Sequence, residues 1–400
     1  MHKTNEKSET LRDAVPLVEY ENKAQLTDRF SDNDLTPILL GLYGEIGSVM
    51  STTKKFRREK KAYIGYKEAV EEEFGDSLWY FNAICRRLGY KLSDMFSAAF
   101  DNTDLKTLSA SSDSNAPLSQ TITLSLTESV DNTLIELGTI TAELLRIETT
   151  SLELPDVLIK FARIYIQCIQ AIELSFSRIV NNNLHKALGR FNLPELSFLP
   201  DFDHNFPEEE RLPRYFEIEI SQRKSGQSYL KWNGVFIGSP LTDNMLDKDG
   251  YRFHDVFHLA HAAILHWSPT FRALLKHKRK SDPVFDEAQD GGRAIVVEEG
   301  LTAWLYSISK DLDYFEGHDS VSFDVLKTIE KFVSGYEVQA CPLVLWEKAI
   351  LDGYSVFRMV KKNNGGIIVG DRTNRTLEYK PIEQKNEHKA FRIRTEEPRV

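Results

Sequence analysis

The chain has 400 residues, of which 41% are hydrophobic and 28% are charged, and this composition excludes fibrous and disordered proteins. A chain of this length is too long for one ordinary hydrophobic core, so two domains are predicted. The formal net charge of −10 argues against a protein that coats duplex nucleic acid and favours a small phosphate-containing ligand.

The cysteines and the N-terminal residues indicate the cellular compartment in which the protein is expected. Cys85, Cys168 and Cys341 are too far apart in sequence to form a zinc knuckle or to define a disulfide framework. Residues 1–15 lack the apolar core of a signal peptide, and no stretch approaches the roughly 18 apolar residues of a membrane helix. We therefore expect a soluble, cytoplasmic protein with no membrane partner.

Two amphipathic helices are predicted near the start of the chain. Apolar side chains recur at helical spacing over residues 37–55 and again over residues 66–88. The predicted connection between them is basic, which suits either a solvated loop or a surface that faces an anion. Its basic side chains are Lys54, Lys55, Arg57, Arg58, Lys60 and Lys61.

The domain boundary is predicted from composition. Residues 107–121 are small and polar, as in a linker or mobile loop, and two further helical patterns follow at about 130–147 and 154–188. Prolines then recur through residues 194–213, which favours a connection over a continuing helix. The predicted organisation is an N-terminal tail (1–24), a helical domain (25–195), a proline-rich connection (196–213) and a C-terminal domain (214–400).

The predicted C-terminal domain combines short strands with helices. Strands are predicted at 216–220 and 229–237 with a turn at 225–227, and a second hairpin at 365–369 and 376–379. Helical patterns lie between them, over residues 253–266, 294–307 and 323–359. The predicted fold class is mainly α: an all-α helical bundle followed by a mostly helical α+β domain with short hairpins.

Carboxylates concentrate on the second predicted helix. Glu73 and Asp76 are three residues apart and Glu72 precedes Asp76 by four, so the three share one helix face. Like charges at this spacing repel one another unless a cation lies among them, and Mg²⁺ prefers such oxygen ligands. Glu45, flanked by apolar and glycine residues on the preceding helix, is placed to complete a metal site across the helix pair. The alternative is an acidic face in solvent.

These two helices resemble the paired-helix signature of MazG-like nucleotide pyrophosphohydrolases over about residues 25–105. In that family an E-x-x-E motif on one helix and an E-x-x-D motif on the next bind magnesium. The resemblance therefore implies that Glu45, Glu73 and Asp76 bind Mg²⁺, with Mn²⁺ as the alternative ion. The matching segments are Gly-Leu-Tyr-Gly-Glu-Ile-Gly-Ser and Glu-Glu-Phe-Gly-Asp-Ser-Leu-Trp-Tyr.

The match departs from the family pattern at Ser48, where the family usually has the second glutamate. A neutral hydroxyl is a weaker ligand than a carboxylate, so the resemblance predicts fewer directly bound metal ions or an altered rate. Glu72 is the candidate for orienting or deprotonating the attacking water.

The family resemblance also implies a homo-oligomer, a dimer or tetramer, and a domain tail with an asparagine-to-lysine-to-arginine pattern. Asn183, Lys186 and Arg190 match that tail and are candidates for binding phosphate. The alternative is an ordinary polar helix end, because basic residues there favour the helix dipole. Further candidates for the outer phosphates are Lys54, Lys55, Arg57 and Arg58.

The implied reaction is attack of water on a nucleoside triphosphate with the help of magnesium, which yields the monophosphate and pyrophosphate. Two other functions remain open. One is a degenerate nucleotide-binding sensor that lost catalysis because of Ser48. The other is a metal-dependent hydrolase or nuclease centred on histidines of the C-terminal domain.

Those histidines have the spacing of metal ligands. His254 and His258 are four residues apart and His261 follows three residues later, so they share a helix face. Asp255 and Val256 replace the glutamate of a zinc-protease motif, which argues against a protease.

An acidic segment lies downstream of the histidines, over residues 286–299. One interpretation is a transition-metal site of His254, His258 and Glu299, and the other is a buried polar network beside a solvated acidic face. The region around His254 resembles the C-terminal extension of some longer MazG-domain proteins, and this resemblance implies no particular chemistry.

Overall fold

The computed structural model describes residues 15–31, 34–100, 129–146, 148–191 and 194–382. The chain divides into two compact units, Met1–Asn192 and Leu193–Val400, and each has its own hydrophobic core. The described part of the first unit is all helical, and the second combines helices with one antiparallel sheet. The predicted fold class is therefore confirmed. The predicted linker at 107–121 lies outside the described residues.

The first unit is a helical bundle in which α2 (Thr36–Glu59) and α3 (Tyr66–Arg87) form the central pair. Helix α7 (Phe176–Phe191) packs on α3, and α5 (Val130–Arg146) packs on α2. Helix α6 (Leu154–Ala171) packs on α5 and on α4 (Leu92–Ala99). Its helices are α1 (Leu17–Ala24), α2 (Thr36–Glu59), α3 (Tyr66–Arg87), α4 (Leu92–Ala99), α5 (Val130–Arg146), α6 (Leu154–Ala171) and α7 (Phe176–Phe191).

The end of α2 differs from the prediction. Lys54, Lys55, Arg57 and Arg58 belong to its last turns and not to the connection, because lysine and arginine are good helix formers and their charges suit a helix C-terminus. The helix stops at Lys60, whose backbone has a positive φ of 49°, and α3 follows Gly65, whose φ is 78°.

Gly75 allows a close approach between α3 and α7. A Cβ at this position would lie 2.8 Å from the Cβ of Asn183, so any larger residue would force the two helices apart. The neighbouring residue of α3, Asp76, is thereby held against α7. The Tyr165 hydroxyl of α6 donates a hydrogen bond of 2.5 Å to the Phe74 carbonyl on the same stretch of α3.

One five-stranded antiparallel sheet forms in the second unit, in the order β3-β2-β1-β4-β5. The two predicted hairpins are joined because β1 pairs with β4, with Ile218 opposite Ile368. The predicted strand 229–237 is two strands, since Asn233 and Gly234 both have positive φ and form a tight turn. The strands are β1 (Tyr215–Gln222), β2 (Ser228–Trp232), β3 (Val235–Leu241), β4 (Gly365–Asp371) and β5 (Thr376–Lys380).

Helices of the second unit cover this sheet, with α8 and α13 packed on β4 and β5. The predicted helix 323–359 is interrupted after Phe332, because Gly335 has a positive φ of 86° and Pro342 precedes the next helix. None of the helices within the described ranges has the length and apolar character needed to cross a membrane. The helices are α8 (Asp255–Ala260), α9 (Pro269–Leu275), α10 (Pro283–Ala288), α11 (Gly292–Ser309), α12 (Phe323–Phe332) and α13 (Leu343–Asn363), with a π-helical turn at His261–Leu265.

The predicted connection, residues 196–213, lies within the second unit. Asp203 forms an ion pair with the buried guanidinium of Arg272 on α9, and its other oxygen accepts a hydrogen bond of 2.8 Å from the Leu212 backbone N–H. A buried charge pair of this kind is costly to break, because each partner would be left desolvated. These contacts fix the proline-rich segment to the helices that follow it.

Candidate functional site

The paired helices α2 and α3 bring together three carboxylates that the sequence singled out. One oxygen each from Glu45, Glu73 and Asp76 lies within 4.8 Å of the other two. Glu73 and Asp76 are one turn apart on α3, and Glu45 faces them from the middle of α2. All three side chains are partly exposed, so water and a ligand can reach the cluster.

Helix α7 holds Asp76 in place. The Asn183 amide donates a hydrogen bond of 3.1 Å to Asp76 Oδ1, and the Tyr20 hydroxyl donates one of 2.7 Å to Asn183 Oδ1. Because the Asn183 oxygen is taken by Tyr20, its NH₂ group must face the carboxylate. No sequence pattern indicated the role of Tyr20, because it lies 163 residues before Asn183.

Lys186 of α7 is a counter-ion for two of the acidic residues. Its Nζ lies 2.7 Å from Asp76 Oδ2 and 2.7 Å from Glu72 Oε1. The adjacent Glu71 is separate from this arrangement, because it is buried and forms an ion pair of 2.6 Å with Arg178. Of the predicted phosphate ligands, Asn183 and Lys186 therefore touch the carboxylate cluster, and Arg190 lies one turn beyond Lys186 on the same helix.

The basic residues at the end of α2, which were predicted to bind phosphate, lie away from the carboxylate cluster. Lys54 is nine residues beyond Glu45, which at 1.5 Å per residue is about 14 Å along the helix axis. Arg57 forms an ion pair with Asp131, Arg58 pairs with Glu59, and Lys55 lies over the ring of Tyr63. These contacts are to other parts of the first unit.

The surroundings of Glu45 favour its protonated form. Burial raises the pKa of Glu45 to about 8, the charges of Asp76 and Glu73 add to this effect, and Lys186 partly opposes it. Without a further cation, the cluster therefore keeps a proton at neutral pH. Closely spaced carboxylate oxygens that are open to water suit Mg²⁺, which takes oxygen ligands and retains several waters.

This electrostatic arrangement predicts that the metal-free protein loses stability as the pH rises. The folded-state pKa of Glu45, about 8, is above its ordinary value of 4.5, so the folded state binds more protons between these pH values. The free energy of unfolding should then fall from pH 5 to pH 8 more steeply in the wild type than in Glu45→Gln. Thermal unfolding in chelator at several pH values measures this difference, and parallel curves for the two proteins would refute it.

A second cluster lies in the second unit, between α8 and α11. His254 Nε2 is 3.5 Å from Glu299 Oε2, and His258 Nε2 is 3.3 Å from Glu299 Oε1. One ligand atom from each of the three residues lies within 4.8 Å of the others. The structure thus brings together the three residues that the sequence grouped.

Glu298, the neighbour of Glu299, lies on the buried side of the histidines, and the sequence analysis assigned it no role. It is wholly buried, and its Oε2 accepts hydrogen bonds of 3.1 Å from the Ser268 hydroxyl and 2.9 Å from the Thr270 backbone N–H. Its Oε1 faces the histidines, at 3.2 Å from His258 Nδ1 and 3.0 Å from His261 Nδ1. Glu298 therefore positions the histidines from inside the domain.

The charges of this cluster are strongly coupled. Burial lowers the pKa of His258, but Glu298 and Glu299 outweigh burial and raise it well above the ordinary value. Burial raises the pKa of Glu299, yet His254 and His258 bring it down to about 2. The cluster therefore attracts positive charge strongly, either as a proton or as a metal ion.

The first unit is thus an α-helical bundle with a carboxylate cluster on paired helices, and the second is an α+β unit with a histidine–carboxylate cluster. Residues 197–383 match the family model described as MazG C-terminal domain. This match supports MazG-like family membership, and it covers the second unit, while the helical bundle lies outside it. No curated protein and no solved structure matched the chain.

Proposed function

We propose that this chain is a magnesium-dependent pyrophosphohydrolase that converts a nucleoside triphosphate into the monophosphate and pyrophosphate. The observation that carries the proposal is the convergence of Glu45, Glu73 and Asp76 across α2 and α3, with Lys186 in contact with Asp76. A cluster of negative ligands beside an ammonium group has the components to bind a cation and an anionic phosphate chain together.

Glu45, Glu73 and Asp76 would hold the magnesium ion, which supplies polarisation of phosphoryl oxygens and offsets the charge that develops on them. Tyr20 and Asn183 keep the Asp76 carboxylate in one orientation. Such support matters because a ligand that is displaced by 1 Å loses much of its effect on the reaction.

Lys186 has two roles in this proposal. In the absence of metal its ammonium group neutralises Asp76 and Glu72. With a magnesium ion held by Glu45, Glu73 and Asp76, the Lys186 ammonium group would be available to donate hydrogen bonds to a phosphate oxygen. A lysine suits this exchange because its stem is flexible and its charge is compact.

Glu72 is the proposed residue that orients or deprotonates the attacking water. Its side chain is 35% exposed, so it can reach solvent, and Lys186 keeps it beside Asp76. A general base must lie within hydrogen-bond reach of the water that it activates. Glu72 meets this requirement only if the water lies on the side of the cluster that faces α7.

Ser48 lies one turn from Glu45 on α2, so a glutamate there would add a fourth carboxylate near the cluster. We expect Ser48→Glu to lower the magnesium concentration for half-saturation by about tenfold, because metal affinity rises with the number of charged ligands. Ser51→Glu, at an exposed position of the same helix, is the matched control. An unchanged magnesium titration in Ser48→Glu would place position 48 outside the metal site.

The function is tested by incubating the full chain with a panel of canonical and modified nucleoside triphosphates and magnesium, and separating the products by anion exchange. We expect at least one substrate to give equal amounts of monophosphate and pyrophosphate. Tight binding of a nucleotide without any product would contradict the enzyme and favour the sensor function. Release of nucleoside diphosphate and orthophosphate would contradict the proposed bond cleavage.

A further inference from the structure

We propose that the second unit binds a transition-metal ion through His254 Nε2, His258 Nε2 and a carboxylate oxygen of Glu299. The inference is independent of the proposed nucleotide chemistry, because these residues belong to the other compact unit. The histidines lie one turn apart at the start of α8, and Glu299 projects from α11 toward both of them.

The spacing of the ligand atoms suits an ion. Two ligands that each lie 2.0–2.2 Å from one metal ion are themselves about 3.0–3.5 Å apart. The measured separations from Glu299 oxygens are 3.5 Å to His254 Nε2 and 3.3 Å to His258 Nε2. These are long distances for charged hydrogen bonds, which are usually shorter than 3 Å.

His258 gives an independent indication. It is 1% exposed, and neither of its ring nitrogens makes a hydrogen bond of acceptable geometry within the described part of the chain. Carboxylate oxygens lie near both nitrogens but at poor angles for donation. A buried polar atom without a partner is rare in native proteins, and a metal ion at Nε2 would satisfy it.

The surroundings of His254 orient its ring for metal binding, and a carboxylate lies behind His258. His254 Nδ1 lies 2.9 Å from the Tyr251 carbonyl oxygen, which can only accept, so Nδ1 donates and, in a neutral ring, Nε2 is the nitrogen with the lone pair. The Tyr251 ring also stacks on His254, with ring centroids 4.3 Å apart. On His258, Nδ1 faces the buried carboxylate of Glu298 at 3.2 Å, which is the usual outer partner of a metal-bound imidazole.

An alternative centre on His258, His261 and Glu298 is less suitable, although its atoms are equally close. Both oxygens of Glu298 already face donors from Ser268, Thr270 and His261, and all of this group is buried. The Glu299 side chain is 39% exposed, so an ion there would have three protein ligands and a position open to water. Two imidazoles with one carboxylate favour zinc, iron or manganese over magnesium.

The test uses the full chain, purified without a histidine tag or chelator. Its metal content is measured by elemental analysis, and the chelator-treated protein is titrated with Zn²⁺ and, for its visible absorption, Co²⁺. We expect about one equivalent of metal per chain and an affinity that falls at least tenfold in Glu299→Gln. The matched controls are Glu316→Gln and His318→Gln, at exposed positions outside the cluster, and these should leave the affinity unchanged.

Folding is controlled in two ways. Glu299 is partly exposed and its substitution changes little volume, so this variant should unfold at the wild-type temperature in chelator. His254→Ala/His258→Ala is compared by near-ultraviolet circular dichroism before its metal content is interpreted. Asp76→Asn should retain the full equivalent of zinc. Failure of the wild type to bind either ion, or binding that Glu299→Gln leaves unchanged, would overturn the proposal and leave His258 as a buried imidazolium between two carboxylates.

Discussion

Asp76→Asn is expected to reduce magnesium-dependent pyrophosphate release by about 1000-fold or more, because it would remove a charged ligand of the proposed magnesium ion. Asp76 contributes to the carboxylate cluster with Glu45 and Glu73, and it is also the carboxylate that Lys186 and Asn183 hold. Asparagine has nearly the same volume, so the packing between α3 and α7 should persist. Glu73→Gln is expected to have a comparable effect.

The measurement is a pyrophosphate assay at saturating magnesium, with circular dichroism to verify the fold. Glu68→Gln is the matched control, since Glu68 is an exposed glutamate in the first turn of the same helix. This control should retain full activity. If Asp76→Asn turned over substrate at the wild-type rate, the carboxylate cluster would have no role in the reaction.

Lys186→Met should lower kcat/KM about 100-fold while magnesium still binds. The loss of activity follows from the missing ammonium group, which we propose donates to a phosphate oxygen. Magnesium affinity should rise, because Lys186 pairs with Asp76 and so competes with the ion for that carboxylate. The opposite directions of the two effects separate a phosphate ligand from a residue that only stabilises the fold.

The two quantities are measured by steady-state kinetics and by magnesium titration of the substrate-free protein. Lys67→Met, on the exposed side of α3, is the control for removal of a lysine. If Lys186→Met keeps its activity but loses magnesium affinity, the lysine supports the carboxylates and does not contact the substrate.

Local patterns in the sequence predicted the fold class, and long-range pairing accounts for what they missed. Helical periodicity marked α2, α3 and α11, because the buried residues of each recur at three- to four-residue intervals over much of its length. The pairing of β1 with β4 joins segments that are about 150 residues apart, and nothing in either strand specifies its partner. The break before α13 depends on Gly335 and Pro342, which interrupt an apolar pattern that otherwise continues.

The candidate carboxylate site was predictable in part. Spacing placed Glu73 and Asp76 on one face, and the apolar and glycine neighbours of Glu45 placed it at the seam of the helix pair, while its role as a magnesium ligand was implied by the family resemblance. The basic run at the end of α2 appeared to be part of a loop, because a run of charges does not show whether a helix continues through it.

Adjacent residues in the second unit show another limit of sequence patterns. Glu298 and Glu299 are neighbours on α11, and successive helical residues point about 100° apart, so the two side chains have different surroundings. The structure buries Glu298 against Ser268 and Thr270 and leaves Glu299 partly exposed beside His254. The sequence pattern indicated Glu299 as a ligand but did not show that Glu298 is buried behind the histidines, because that depends on contacts with Ser268 and Thr270.

The most direct test of the proposed function follows the phosphorus atoms of the substrate by ³¹P nuclear magnetic resonance. Full-length protein is mixed with a substrate nucleoside triphosphate and magnesium, and parallel samples contain chelator or Asp76→Asn. The proposal predicts that the three triphosphate signals are replaced by one monophosphate and one pyrophosphate signal, only in the wild type with magnesium. Product signals of the same intensity in Asp76→Asn would contradict the proposal. Signals of nucleoside diphosphate and orthophosphate, in place of monophosphate and pyrophosphate, would also contradict it.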